Sequence, residues 1–230
     1  MNLANQNQRR PLDSMAIENS LNFLNSLKNA TKQTHPYTYY LLKDIFNSNI
    51  IKELEALPFE GKHLEYTLGT REEFNSTRQY FSPENMQKFA CAKTVGDVFL
   101  NPKIIKTLEK LGNTSFQGSF LRIEYTIDYD HFWLKSHTDI GAKLFTMLMY
   151  LSEGDEASTW GTDIYSDENT HCATAPYAPN LGVIFYPSNN TWHGFRPRKI
   201  NGIRKALIIN YVKPEWRSRH ELCDSLNPVY

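Results

Sequence analysis

A chain of 230 residues and 26.7 kDa is long enough for one domain with a sizeable core. Its 25 basic and 25 acidic side chains cancel, which leaves no electrostatic footprint for nucleic acid. Cys91, Cys172 and Cys223 are too scattered for a disulfide framework or a thiolate metal site, and no run approaches the ~20 apolar residues of a membrane span.

Residues 1–13 are polar and rich in Asn and Gln, which predicts a disordered tail. Within it Arg9-Arg10 is followed by Pro11, with no apolar signal region, so the expected location is cytoplasmic. Ile17, Leu21 and Leu24 recur at helical spacing and predict a first helix through Lys28. The aromatic run from Tyr37 to Leu42 reads as a strand. Ile50, Ile51, Leu54 and Leu57 form a short amphipathic helix that Pro58 ends. Ser82-Pro83-Glu84 opens the next helix, with serine as cap and proline in the first turn. Asn101-Pro102 repeats that signature, and Gly112 closes this second helix. From Ser119 the pattern changes to short strands split by Gly, Asp, Asn and Pro turns. Pro214 interrupts the last strand, and Glu215 to Leu226 reads as a terminal helix or tail.

Helices first and strands later predict a mostly β fold, with helices buttressing a sandwich or jelly roll. The expected organisation is a single domain over 14–230. Its parts are a mixed helical and strand region at 14–118, a jelly-roll core at 119–212 and an extension at 213–230.

The chemistry concentrates in His137-Thr138-Asp139 and His193. On an extended strand, residues two apart point the same way, so His137 and Asp139 can reach one ion while His193 arrives from another strand. By the same alternation Trp133 and Lys135 share the ligands' face, a set of polar groups that an apolar core would not tolerate unpaired. Two imidazoles and a carboxylate suit ferrous iron and leave coordination positions open for a co-substrate and oxygen. The remaining histidines, His35, His63, His131, His171 and His220, read as ordinary surface or core residues.

The stretches SHTDIGAKLFTMLMYLSEG, WGTDIY, NLGVIFYPSNNTWHGFRPR and IRKALIINYV resemble the double-stranded β-helix core of Fe(II)/2-oxoglutarate-dependent dioxygenases. The likeness is to their prolyl-hydroxylase-like branch and spans roughly Phe120 to Val212. It implies His137, Asp139 and His193 as iron ligands, with no further catalytic side chain. It also implies Arg204, eleven residues beyond His193, as the partner of the co-substrate's distal carboxylate, which arginine's planar fork suits. By alternation Arg204, Ala206, Ile208 and Asn210 share a face. Arg196, Arg198 and Lys199 are neighbouring competitors for the role. The chain departs from prolyl hydroxylases in a slightly longer spacing before Arg204, and in placing Met149 where they use a tyrosine. Tyr125 is the expected replacement donor. Halogenating relatives replace the carboxylate ligand with a small residue; Asp139 is retained here, which implies oxygen insertion.

The reaction so implied consumes Fe(II)-activated O2 and 2-oxoglutarate, hydroxylates an unactivated C–H bond, and releases succinate and CO2. Candidate substrate contacts are Arg71, Arg78, Tyr80, Arg122, Trp133 and Lys135, a set suited to a small anionic or zwitterionic metabolite against an apolar wall. Two other readings stay open: the same chemistry on a protein side chain, and a metal-binding jelly roll without oxygenase activity, such as an isomerase or sugar-binding module. Nucleic-acid demethylation is disfavoured by the neutral charge. The sequence does not speak to oligomeric state.

Overall fold

From Phe120 onward the regular elements are strands and short 3-10 segments; before it, among the described residues, helices alternate with three short strands that join the same large sheet. The computed structural model describes residues 13–230, so the expected disordered tail lies outside the described residues except for Asp13. That residue caps α1 (Ser14–Lys28), its carboxylate accepting from the Ala16 N–H at 2.8 Å. A short hairpin of β1 (Thr31–Gln33) and β2 (Tyr39–Leu42) follows, then α2 (Ser48–Glu55), which buries Ile50, Ile51 and Leu54. A 3-10 segment at Arg71–Thr77 leads into β3 (Arg78–Tyr80), α3 (Pro83–Lys88), α4 (Ala90–Phe99) and α5 (Pro102–Gly112). The second half is β4 (Phe120–Asp128), β5 (Leu134–His137), β6 (Lys143–Tyr150), β7 (Asp163–Tyr165), β8 (His171–Thr174), β9 (Gly182–Phe185), β10 (Trp192–Phe195) and β11 (Arg204–Val212).

Among the described residues these strands form two antiparallel sheets, ordered β1-β2-β9-β6-β11-β4-β3 and β5-β10-β7-β8. Alternation divides the large sheet cleanly. Leu121, Ile123, Tyr125 and Ile127 of β4 and Leu207, Ile209 and Tyr211 of β11 join the helices in one apolar core. Arg122, Glu124, Thr126 and Asp128, with Arg204, Ala206 and Ile208, turn inward and line a cavity between the sheets. The helices therefore buttress the outer face, and the inner face is free to carry polar chemistry.

Two local expectations, at Gly112 and Tyr37, need correction; in addition α4 was not expected, and the stretch after Val212 takes the tail form and not the helix. The helix opened by Ser82 ends at Lys88, because Phe89 is extended (φ −122°, ψ 113°) and packs edge-on against Phe59; a separate helix, α4, starts at Ala90. Gly112 is the last residue of α5, and the left-handed position falls on Asn113 (φ 48°). Glycine is needed at 112 for another reason: a Cβ there would lie 2.0 Å from the Tyr186 ring. The strand expected from Tyr37 begins at Tyr39. Beyond Val212 the backbone follows turns, with only a 3-10 segment at Arg219–Glu221; it is fastened by Arg122, which bonds Glu221 at 2.5 Å. The described helices include none long and apolar enough to cross a membrane.

Candidate functional site

β5 and β10 pair so that His137 and His193 are direct cross-strand partners, with ring centroids 4.4 Å apart. β5 ends at His137, and Asp139 is carried by the loop that follows. One ligand atom from each of His137, Asp139 and His193 lies within 4.8 Å of the others. Both imidazoles are oriented through the nitrogen facing away: His137 Nδ1 meets the Lys135 carbonyl at 2.9 Å and His193 Nδ1 the Thr191 carbonyl at 3.0 Å. A carbonyl can only accept, so each Nδ1 carries the proton and each Nε2 keeps its lone pair, the tautomer a metal ligand needs.

The protonation states agree with that use. Burial lowers the pKa of His137 and, with His137 beside it, pushes His193 down to about 4. Burial alone would raise the pKa of Asp139; the Lys143 ammonium foremost, then His193 and the Thr146 hydroxyl, hold it well below the usual carboxylate range. Lys143 Nζ lies 2.6 Å from Asp139 Oδ1, and Thr146 Oγ1 donates to Oδ2 at 2.6 Å. Two neutral imidazoles and one anionic carboxylate fit a divalent ion such as ferrous iron.

The triad opens on a cavity of about 640 Å³. Arg204, 4 % exposed, is on its wall. Its Nη1 meets Asp128 Oδ2 at 2.5 Å and its Nε donates to the Trp160 carbonyl at 2.8 Å; Nη2 has no partner among the described residues. Tyr150 and Tyr177 stand with ring centroids 5.9 Å from this guanidinium. Met149, which stands where the resemblance implies a tyrosine, packs in the helix-side core, and the neighbouring Tyr150 lies on the inner face.

Tyr125 does not reach this cavity. It sits on the outer face of β4, edge-on to Phe59 and tilted against Phe81, and its hydroxyl donates to the Leu54 carbonyl at 3.0 Å. Arg198 is also elsewhere, paired with Asp163 and the Thr159 carbonyl.

The substrate candidates divide. Arg78 and Arg122 line the cavity but are spent on buried carboxylates. Arg78 bridges Glu124 (3.1 Å) and Asp128 (2.5 Å), and Arg122 joins Glu124 and Glu221. Arg71, half-buried on the 3-10 segment, completes the shell around Glu124 at 2.7 Å. Burial would raise the Glu124 pKa, but Arg122, Arg71 and Arg78 overcome it and hold the carboxyl far below its usual range. Tyr80 does not line the cavity; its ring lies 5.0 Å from the Arg122 guanidinium. Trp133 also turns away and donates to the Thr67 carbonyl at 3.2 Å. Lys135 remains exposed on the cavity rim, its ammonium 6.0 Å from the Trp133 ring.

Sequence reasoning missed Asp128, Glu124, Lys143 and Thr146, all on the cavity wall. Lys143 had a local signal, four residues beyond Asp139. Asp128 had none, because its place beside Arg204 follows from the β4–β11 register.

No protein-family model matches the chain, and no curated protein matches it in sequence. Solved structures do. A prolyl hydroxylase from Trichoplax adhaerens, in complex with a hypoxia inducible factor peptide fragment, superposes with a TM-score of 0.58 at 14 % identity, covering 86 % of this chain and 91 % of that one. A 2OG-Fe(II) oxygenase family oxidoreductase from Burkholderia pseudomallei gives 0.54 at 10 % identity, covering 89 % and 93 %. A Pseudomonas putida prolyl-4-hydroxylase gives 0.53 at 14 % identity, covering 84 % and 98 %. The chain has the fold of the 2OG-Fe(II) oxygenases, a double-stranded β-helix core with flanking helices.

Proposed function

We propose that this protein is a 2-oxoglutarate- and Fe(II)-dependent oxygenase that hydroxylates an unactivated C–H bond of a small anionic or zwitterionic metabolite. The observation carrying the reading is that the His137, Asp139 and His193 donors and the uncommitted edge of Arg204 face one cavity. Charge supports it. The cluster on the cavity wall holds Arg71, Arg78, Arg122 and Arg204 against Glu124, Asp128 and Glu221, one cation in surplus, which the distal carboxylate of 2-oxoglutarate would neutralise at Arg204.

When bound, iron and 2-oxoglutarate supply the oxygen-activating chemistry, ending in succinate and CO2. His137 and His193 would hold the metal through Nε2, and Asp139 through its carboxylate. Arg204, steadied by Asp128 and the Trp160 carbonyl, would orient the co-substrate. Phe132 and Phe195, whose rings flank the Arg204 guanidinium, exclude water from the ion pair. Lys135 is the cation left for a substrate, since the arginines are engaged in the fold.

A second reading, the same reaction on a protein side chain, draws on two observations. The Trichoplax enzyme is bound to a peptide fragment, and Ile140, next to Asp139 on the cavity rim, is 61 % exposed. A screen of metabolites and peptides for stimulated succinate release tests both. Stimulation by small acids or amino acids supports the first; stimulation by peptides alone replaces it with the second.

A further inference from the structure

Across the inner face of the large sheet, Arg122 of β4, Asn210 of β11 and Thr146 of β6 stand directly opposite one another in register. All are buried, Arg122 at 3 %, Asn210 at 0 % and Thr146 at 2 % exposure. They are hydrogen-bonded in series, and chemistry fixes the direction of every bond. A guanidinium can only donate, so Arg122 Nη1, 3.2 Å from Asn210 Oδ1, forces the amide oxygen toward itself. The Asn210 amino group must then face the other way, and it donates to Thr146 Oγ1 at 3.0 Å and the Phe145 carbonyl at 3.1 Å. Thr146, already an acceptor, has one proton to give, and it goes to Asp139 Oδ2 at 2.6 Å. Arg122 is itself immobilised, with Tyr80 and Trp216 rings each 5.0 Å from its guanidinium and Glu124 and Glu221 as partners.

We infer that Thr146 and Asn210 are positioning residues for the carboxylate of the metal centre. The row fixes the rotation of Asp139, with one oxygen held from inside the protein. Thr146 touches the ligand and not the metal, so its effect is transmitted through Asp139. The inference rests on the assignment of His137, Asp139 and His193 as a metal site.

The test is Co(II) binding to the full chain under anaerobic conditions, read by calorimetry and by the visible spectrum of the bound ion. The variants are Asp139→Ala, Thr146→Val, Thr146→Ser and Asn210→Asp. Thr146→Val keeps the shape and removes the proton; it should weaken binding about 10–100-fold, the usual cost of losing such an outer partner, and shift the spectrum. Thr146→Ser keeps the proton and should bind as the wild type does. Asn210→Asp turns the middle of the row into an acceptor from both sides, so the Thr146 proton leaves Asp139 and binding weakens as in the valine variant. If Thr146→Val does not fold, Asn210→Asp decides. Loss of cobalt by Asp139→Ala, with unchanged affinity and spectrum in Thr146→Val and Asn210→Asp, overturns the row and leaves the metal site standing. Undiminished binding by Asp139→Ala overturns the metal site, and the row with it.

Discussion

Replacing Arg204 by alanine perturbs two things at once, and the structure allows them to be separated. Within the protein, Asp128 loses one of its two guanidinium partners and the Trp160 carbonyl loses its donor. Removing one member of a buried pair costs about 3–5 kcal/mol; Arg78 remains 2.5 Å from Asp128, so the lower end of that range is expected. For the co-substrate, loss of one charge-assisted pair of about 1.5–3 kcal/mol weakens binding roughly 10–100-fold. Adding Asp128→Asn to Arg204→Ala removes the half-paired charge, and Arg78 keeps Glu124 as its partner. The double variant should recover part of the stability in urea unfolding while 2-oxoglutarate affinity, measured by anaerobic titration of the metal-loaded protein, stays lost. Lysine at 204 should rescue affinity only in part, since it lacks the bidentate fork. A folded double variant that binds 2-oxoglutarate like the wild type would refute Arg204 as the anchor.

Further outcomes follow from other contacts in the structure. Glu124 titrates far lower folded than its unfolded value of about 4.3, so the folded state binds fewer protons there; stability should be fully present above pH ~5 and fall as the pH drops through 4 toward 2. Urea midpoints across that window check it, and Glu124→Gln should lower stability at neutral pH while flattening the acid slope. Gly161→Ala would place a Cβ 1.7 Å from the Ala175 carbonyl oxygen, a backbone clash; it should cost at least the ~1–3 kcal/mol of overpacking, seen as a lowered melting temperature. Arg78→Ala should unfold readily because it uncovers two buried carboxylates, whereas exposed Lys135→Ala should shift stability by no more than about 0.5 kcal/mol. With a substrate in hand, Lys135→Ala should uncouple succinate release from product formation; unchanged coupling removes Lys135 from recognition.

The legible parts of this chain were those written in short-range pattern. The caps at Ser82 and Asn101 accept from the helix N–H groups they precede, so those two helix starts could be read from the sequence, whereas α4, which has no side-chain cap, could not. The His137–Asp139 spacing and the inward face shared by Arg204 and Ala206 were equally local. What escaped depended on register and three-dimensional closure. Tyr125 is on the right strand but the wrong face, because β4 turns Glu124 and Thr126 inward and Tyr125 out. Arg78 and Arg122 were expected to meet substrate, but buried Glu124 and Asp128 claim them. For Arg78 those carboxylates come from a neighbouring strand, which spacing does not show; Arg122 had a local signal in Glu124, two residues on along the same face. Trp133 was assigned by alternation to the ligands' face, but β5 begins only at Leu134.

The central claim is oxygenation driven by 2-oxoglutarate at the His137–Asp139–His193 centre. Its most direct test is succinate formation from 2-oxoglutarate with added ferrous iron and oxygen, comparing the wild type with His193→Ala. The proposed reaction gives succinate with the wild type, none without iron or oxygen, and none with the variant. Succinate formed equally by His193→Ala, or no iron-dependent succinate from the wild type in the presence of a bound substrate, would contradict it.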